Sequence, residues 1–380
     1  MDTDRRMRST RYPGLDVLRG IALISMVSLH VSDGQPLSYL GRILHSARWI
    51  DGAFFFVALS GLVTGLVHRR LVDRAGAAAS RVKLVRRAGF LYGVHIALGI
   101  LVIGMNTVRP GAAIPLTPTW STNPGPLGNG TALLMLHLEP DANNVLPMYV
   151  FFLLWAVVAV QLISKRRYAV VIALSVTMYV AGQITGGVVL APGSFELASW
   201  QLLFTAGLLI GWSWEHERLS FPPTLRRCVI GAAAVLSVGL LTLTRVAPSS
   251  VDHLPWSPVS KFAGGWLSFL FAGAVLILGY ALIDWLYGYA WPRRVMVPVA
   301  IAGSKGLPGY VAMMVAVLVL QTLPWVHRND IVVALVVLVC GTTELSALKF
   351  AAWRRRRAQA MSASRTGLSP ADPQDLAGVV

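Results

Sequence analysis

Arg19 and His30 share one apolar stretch, which opens Leu15-Asp16-Val17-Leu18-Arg19-Gly20 and continues through Ser25 and Ser28. They are eleven positions apart. At about 100° per residue that is roughly 1100°, some 20° past three full turns, so a helix places both on one face, about 16 Å apart along its axis. A guanidinium at one level suits a phosphate or carboxylate. An imidazole at the other is the side chain best fitted to take a proton near neutral pH. A plainer reading pairs Asp16 with Arg19, three apart, and leaves His30 capping a helix end near water.

Other residues join this pair as candidates. Asp51 opens the next apolar stretch, Ile50-Asp51-Gly52-Ala53-Phe54-Phe55-Phe56, at about the level of His30. It would orient the imidazole, or serve as an N-cap carboxylate favoured by the helix dipole. Asp141, with Glu139, stands in a polar loop and would bind a polar acceptor or simply be solvated. Trp200 and Gln201 would shape an outer pocket. Lys261 is an anion contact or a snorkelling interface residue. His95 is as readily a packed, hydrogen-bonded interior histidine as a catalytic one. Ser60, Gly61 and Gly65 allow close helix packing in lipid.

The elements that position these residues follow from composition. The chain has 380 residues, 55% hydrophobic and 13% charged, with mean hydropathy +0.62. An ordinary soluble protein carries about 25% charged residues. About ten stretches approach the roughly 20 residues that cross a bilayer. They run 15–31, 50–67, 88–105, 145–163, 168–190, 198–214, 229–244, 264–286, 295–323 and 331–353. The expectation is therefore an all-α integral membrane protein, a polytopic bundle of about ten transmembrane helices. Charged groups inside such spans are costly, so Asp16, Arg19 and His30 are functional candidates facing the bundle interior.

The net charge of +16 sits in short basic runs, such as Arg69 to Arg87, Lys165 to Arg167 and Arg354 to Arg357. The alternate connections hold only Arg42, Arg48, Arg109, Arg245, Lys261 and Arg328. That asymmetry puts both termini in the cytoplasm and explains the charge without nucleic acid. Trp49, Trp200, Trp266 and Trp325 then fall near outer span ends, and Trp212, Trp285 and Trp353 near inner ones, as in an interfacial belt.

The organisation reads as a cytoplasmic segment over 1–13, a transmembrane domain over 14–353 with a long outer loop at 106–144, and a basic, disordered tail over 354–380. The first span is a retained anchor, since no small-residue cleavage site follows it. Cys228 and Cys340 give neither a disulfide framework nor metal-ligand spacing. No P-loop, HExxH or GxSxG occurs, so nucleotide hydrolysis, zinc proteolysis and a serine-hydrolase elbow lack support.

The opening Leu15-Asp16-Val17-Leu18-Arg19-Gly20 with His30 resembles the first-span signature of the acyltransferase family 3 superfamily, in which Arg and His are separated by ten residues. The segment from Asp51 to Gly61, Leu146-Pro147-Met148-Tyr149, Ser199-Trp200-Gln201-Leu202-Leu203-Phe204 and Gly303-Ser304 look like the OpgC branch, the glucan succinyltransferases. The ninth segment departs from that pattern at Lys305 and Pro308.

The resemblance implies a multi-pass enzyme of the plasma (inner) membrane. It would take an acyl group, succinyl in that branch, from an acyl-CoA co-substrate inside and deliver it to a glycan hydroxyl outside. Arg19 and Asp16 would meet the donor and His30 would be the general base, with membrane lipid, the glycan acceptor and acyl-CoA as partners and no metal. A transporter or flippase would use the same polar stripe as a translocation path, without consuming a donor. A non-catalytic scaffold would tolerate apolar replacements of both Arg19 and His30.

Overall fold

The computed structural model describes residues 12–31, 50–108, 116–117, 125–136, 139–140, 145–187, 195–214, 222–246, 258–260, 263–304, 310, 311 and 315. Among these the chain forms nine helices: α1 (Pro13–Val31), α2 (Gly52–Val108), α3 (Gly125–Leu134), α4 (Val145–Ser164), α5 (Tyr168–Thr185), α6 (Leu197–Ser213), α7 (Pro223–Val246), α8 (Trp266–Tyr287) and α9 (Ala290–Ser304). Five stretches within them are long and apolar enough to cross a membrane: Gly52–Met105, Val145–Ser164, Tyr168–Thr185, Pro223–Leu243 and Trp266–Tyr287. The span expected at 331–353 lies outside the described residues, as does most of 295–323 beyond Ser304.

Several helices bury one apolar face in the bundle and expose aliphatic residues on the other. In α5 the buried positions are Val171, Ser175, Tyr179 and Gly182, while Val170, Ile172, Leu174 and Val176 are exposed. This is the pattern of a helix in lipid, where small and polar residues meet neighbouring helices and aliphatic ones meet acyl chains. Val235 and Val238 are likewise exposed on α7, whereas α4 exposes Phe151, Leu154 and Val158 and buries a second apolar face of Met148, Phe152 and Leu153.

The run expected as a loop between two spans is helical. α2 continues through the basic segment and bends at Gly76, whose φ of 79° and ψ of 168° suit glycine. His68 Nδ1 lies 2.7 Å from Ser80 Oγ, whereas twelve residues of straight helix would span about 18 Å. The chain therefore folds back on itself at Gly76. Gln161 Nε2 donates to the Ala77 carbonyl at 2.8 Å, which ties α4 to the chain just after the bend. The returning arm buries Leu84, Ala88, Leu91, His95, Leu98 and Val102, spaced by three or four, against the bundle.

Close helix crossings rest on glycine. A Cβ on Gly61 or Gly65 would strike the carbonyls of Phe204 and Leu208, and one on Gly207 or Gly211 those of Ala58 and Leu62. Each helix thus presents a Gly-xxx-Gly step to the other, and the backbones of α2 and α6 touch. The outer loop expected over 106–144 carries α3 and a two-residue antiparallel pair, Leu116–Thr117 with Glu139–Pro140.

Candidate functional site

α1 lies between two backbone contacts. A Cβ on Gly20 would meet the Val299 carbonyl of α9, and one on Gly303 would meet the Asp16 carbonyl and the Gly20 amide. On another side, Gly52 packs against Ala22 and Met26. These crossings fix the rotation of α1, and with it the direction of Arg19. Its side chain is buried at 6% exposure.

Arg19 lines a small cavity with Phe56, Ser60 and Arg87 of α2, Val145, Leu146 and Tyr149 of α4, and Tyr310. The space open to the centre of a water-sized sphere is about 10 Å³, room for about one water molecule. Among the described residues neither Arg19 Nε nor Ser60 Oγ has a hydrogen-bond partner, although both are buried. Buried polar groups ordinarily find partners, so the pair marks a place for a water or a ligand atom. The Arg87 guanidinium lies 5.7 Å over the Tyr149 ring, a cation–π contact that holds it on the cavity wall. Asp16 is within Coulombic reach of Arg19. Two guanidiniums, a hydroxyl and two phenol-bearing rings around one enclosed point would stabilise an anion there.

Arg87 and Tyr310 were not candidates on sequence. Arg87 reads as one more loop charge, yet it falls three after Leu84 and four before Leu91, both fully buried. That spacing puts it beside the inward stripe of α2 and is the signal that would have found it.

The other sequence candidates fall elsewhere. His30 is in the last turn of α1, but its side chain is outside the described residues. Asp51 is buried and accepts from the Ala53 amide at 2.9 Å through Oδ1, the N-cap arrangement. Its neighbour Gly52 contacts Met26, about one turn of α1 before His30. Asp141 and Lys261 lie outside the described residues.

Trp200 is fully buried, with ring centroids 4.4 Å from Phe54 and 4.5 Å from Phe195. Gln201 accepts from Ser175 Oγ at 2.8 Å and donates to the Ser175 carbonyl at 2.7 Å. Thr205 Oγ1 donates back to the Gln201 carbonyl at 2.7 Å, and Trp155 Nε1 donates to Thr205 Oγ1 at 2.8 Å. The contacts of Trp200 and Gln201 are thus those of helix packing. The interfacial belt needs a correction for Trp200 and Trp212, at 0% and 1% exposure. Both lie on α6, the helix whose glycines draw it against α2, so their rings fill the interior. Trp285, at 61%, is exposed. His95 hydrogen-bonds the backbone of Leu133, as a packed interior histidine would.

A buried carboxylate escaped the sequence reading. Glu196, 4% exposed, caps α6 by accepting from the amides of Ala198 at 2.8 Å and Ser199 at 2.5 Å. Nearby, Gln183 Nε2 donates to Ser199 Oγ at 2.8 Å. Among the described residues no cluster of three or more His, Cys, Asp or Glu is placed to hold a metal.

The five stretches long and apolar enough to cross a membrane, with aliphatic side chains on their outer faces, mark an integral membrane protein, with a basic cavity where α1, α2 and α4 meet. The family model described as OpgC protein matches residues 11–358, and the chain belongs to that family. No curated protein and no solved structure matches the chain.

Proposed function

We propose that this protein is a membrane O-acyltransferase, moving an acyl group, succinyl by family likeness, from a coenzyme A thioester to a hydroxyl of an extracytoplasmic glycan. The observation that carries the reading is the convergence of Arg19, Ser60 and Tyr149, from three separate sequence motifs, on one enclosed cavity in an OpgC-family chain. Arg19 and Arg87 would hold a phosphate or carboxylate of the donor, away from the reacting carbonyl.

His30, about 16 Å further along the same face of α1, would take the proton of the acceptor hydroxyl as its oxygen attacks the thioester carbonyl. The carbon–sulfur bond then breaks, and the proton passes to the departing thiolate. Asp51, held at the start of α2 beside the same helix, is the group proposed to orient the imidazole. Asp141 and Lys261 are proposed as acceptor contacts.

The test is mass spectrometry of envelope glycans from cells with and without the gene, followed by transfer assays on the purified protein. A mass increment present only with the gene identifies the acyl group and its carrier. A general base is commonly worth 10²- to 10⁴-fold in rate, so His30→Ala should abolish transfer while the protein stays inserted. Wild-type transfer by that variant removes His30 from the role. Movement of an unmodified glycan, without donor consumption, would instead make the protein a transporter.

A further inference from the structure

The chain between α2 and α4 is unlike a water-exposed loop. From Pro110 to Leu138 it holds no Asp, Glu, Lys or Arg. α3, the helix within it, reads Gly-Pro-Leu-Gly-Asn-Gly-Thr-Ala-Leu-Leu. Its 10 residues fall short of the roughly 20 that cross a bilayer. Leu134 and Met135 are exposed, at 56% and 67%. Adjacent exposed apolar side chains on an uncharged segment suit acyl chains better than water.

The level at which this segment docks points the same way. Leu133 is buried in a notch at Gly99, where a Cβ would strike its Cδ1. The Tyr92 hydroxyl donates to the Leu134 carbonyl at 2.8 Å, and His95 hydrogen-bonds the backbone of Leu133. Tyr92, His95 and Gly99 share one face of α2, in the middle of the apolar stretch 88–105. Counted at 1.5 Å per residue, His95 lies about 12 Å along the helix from Arg87 and about 15 Å from Met105. The last turn of α3 thus meets α2 well inside the apolar span.

A helix that ends at that level leaves its last carbonyls without partners of their own, and hydrocarbon supplies none. Here donors reach them. The Thr131 carbonyl accepts from the Met135 amide at 3.0 Å, and that of Leu133 from the Leu136 amide at 3.1 Å. Tyr92 meets the carbonyl of Leu134, and His95 adds its bond at Leu133. Leu136 closes the turn with a φ of 61°, in the left-handed region that favours glycine. Its side chain is buried, which offsets that backbone cost.

We propose that this connection re-enters the membrane from the side opposite the basic runs, with Leu134 and Met135 against lipid acyl chains and Tyr92 and His95 latching α3 to α2. The partner is the acyl-chain layer rather than the headgroups, since the segment brings no charge to meet them. Nine residues beyond Leu136, Val145 opens α4 and lines the Arg19 cavity. The latch therefore also helps to set where that cavity wall begins. The insertion stands independently of the acyl-transfer reading, since it follows from composition, depth and hydrogen bonding alone.

The experiment uses the full chain with Cys228→Ala and Cys340→Ala in phosphatidylcholine nanodiscs, spin-labelled at one introduced cysteine. The sites are Met135→Cys, Val235→Cys on the exposed face of α7, and Arg74→Cys at the basic bend. Power saturation compares collisions with oxygen, which concentrates among acyl chains, and with a water-soluble nickel chelate. The Met135 label should favour oxygen about threefold or more over the Arg74 label, as the Val235 label does. A Met135 label as open to nickel as that at Arg74 overturns the insertion.

The latch has its own readout. Tyr92→Phe and His95→Leu should each raise nickel collisions at Met135 about twofold or more with Val235 unchanged, whereas His95→Gln, which restores a donor, should not. An unchanged Met135 label in both Tyr92→Phe and His95→Leu overturns the latch, as does an equal rise in His95→Gln and His95→Leu. Tyr92→Phe removes one oxygen and no carbon, so that arm decides the matter even where His95→Leu fails to fold.

Discussion

Gly20 of α1 and Gly303 of α9 meet backbone to backbone: a Cβ on Gly303 would collide with the Gly20 amide and the Asp16 carbonyl. Arg19, directly before Gly20, lines the enclosed cavity. The two glycines therefore set how α1 is turned, and so where a guanidinium points inside the bundle.

Adding volume at this crossing should move Arg19 without touching it. Gly303→Val and Gly20→Val are expected to cost about 1–3 kcal/mol by overpacking and to lower transfer far more than a change of similar size on an exposed face of α7. Thermal unfolding in detergent and transfer assays, side by side, check this. Wild-type melting and activity in both variants would remove the crossing as the positioning device.

The α2–α6 contact makes a parallel case. Gly61→Leu or Gly207→Leu would force Phe204 and Ala58 away from the backbone they touch. Both should lower the melting temperature, and the double variant should fall short of the sum because each already opens the same contact. Additive losses would show that the two glycines act separately.

Within the cavity, charge and hydrogen bonding separate cleanly. Ser60 Oγ is buried without a partner among the described residues, so Ser60→Ala should leave melting unchanged or raise it slightly. Its effect, if the hydroxyl meets substrate, belongs in KM or kcat. Arg19→Gln should reduce kcat/KM by about tenfold or more, since a hydrogen bond to a charged group of the donor is commonly worth about 1.5–3 kcal/mol. Activity of Arg19→Gln at the wild-type level would mean that the cavity holds only structural water.

Gln201→Leu should behave as a packing defect. It leaves the Ser175 hydroxyl without its amide partner inside the bundle, at about 1–3 kcal/mol for the group stranded, while Thr205 keeps its bond to the backbone carbonyl of residue 201. The prediction is a lower melting temperature with an unchanged KM for the glycan. A selective rise in that KM would instead return Gln201 to the acceptor site.

Sequence composition marks membrane-length stretches over 145–163, 168–190 and 264–286, which fold as Val145–Ser164, Tyr168–Thr185 and Trp266–Tyr287, because about 20 apolar residues have few other uses. It also singles out Arg19, since a charge in such a stretch is expensive and seldom accidental. The small residues at 60, 61 and 65 likewise announced a close crossing, though not the helix that would meet them.

Which groups share a cavity was decided only by tertiary packing. Arg19, Ser60, Arg87 and Tyr149 come from distant parts of the chain, and they are brought together by glycine crossings and by the reversal at Gly76. Neither leaves a periodic trace: a glycine in a helix shows only that something approaches, and a bend shows only after its φ is known. For the same reason Trp200 and Trp212, which suggest an interfacial belt by position, are core residues. Span ends are legible in a linear pattern, but helix rotation depends on partners the pattern does not name.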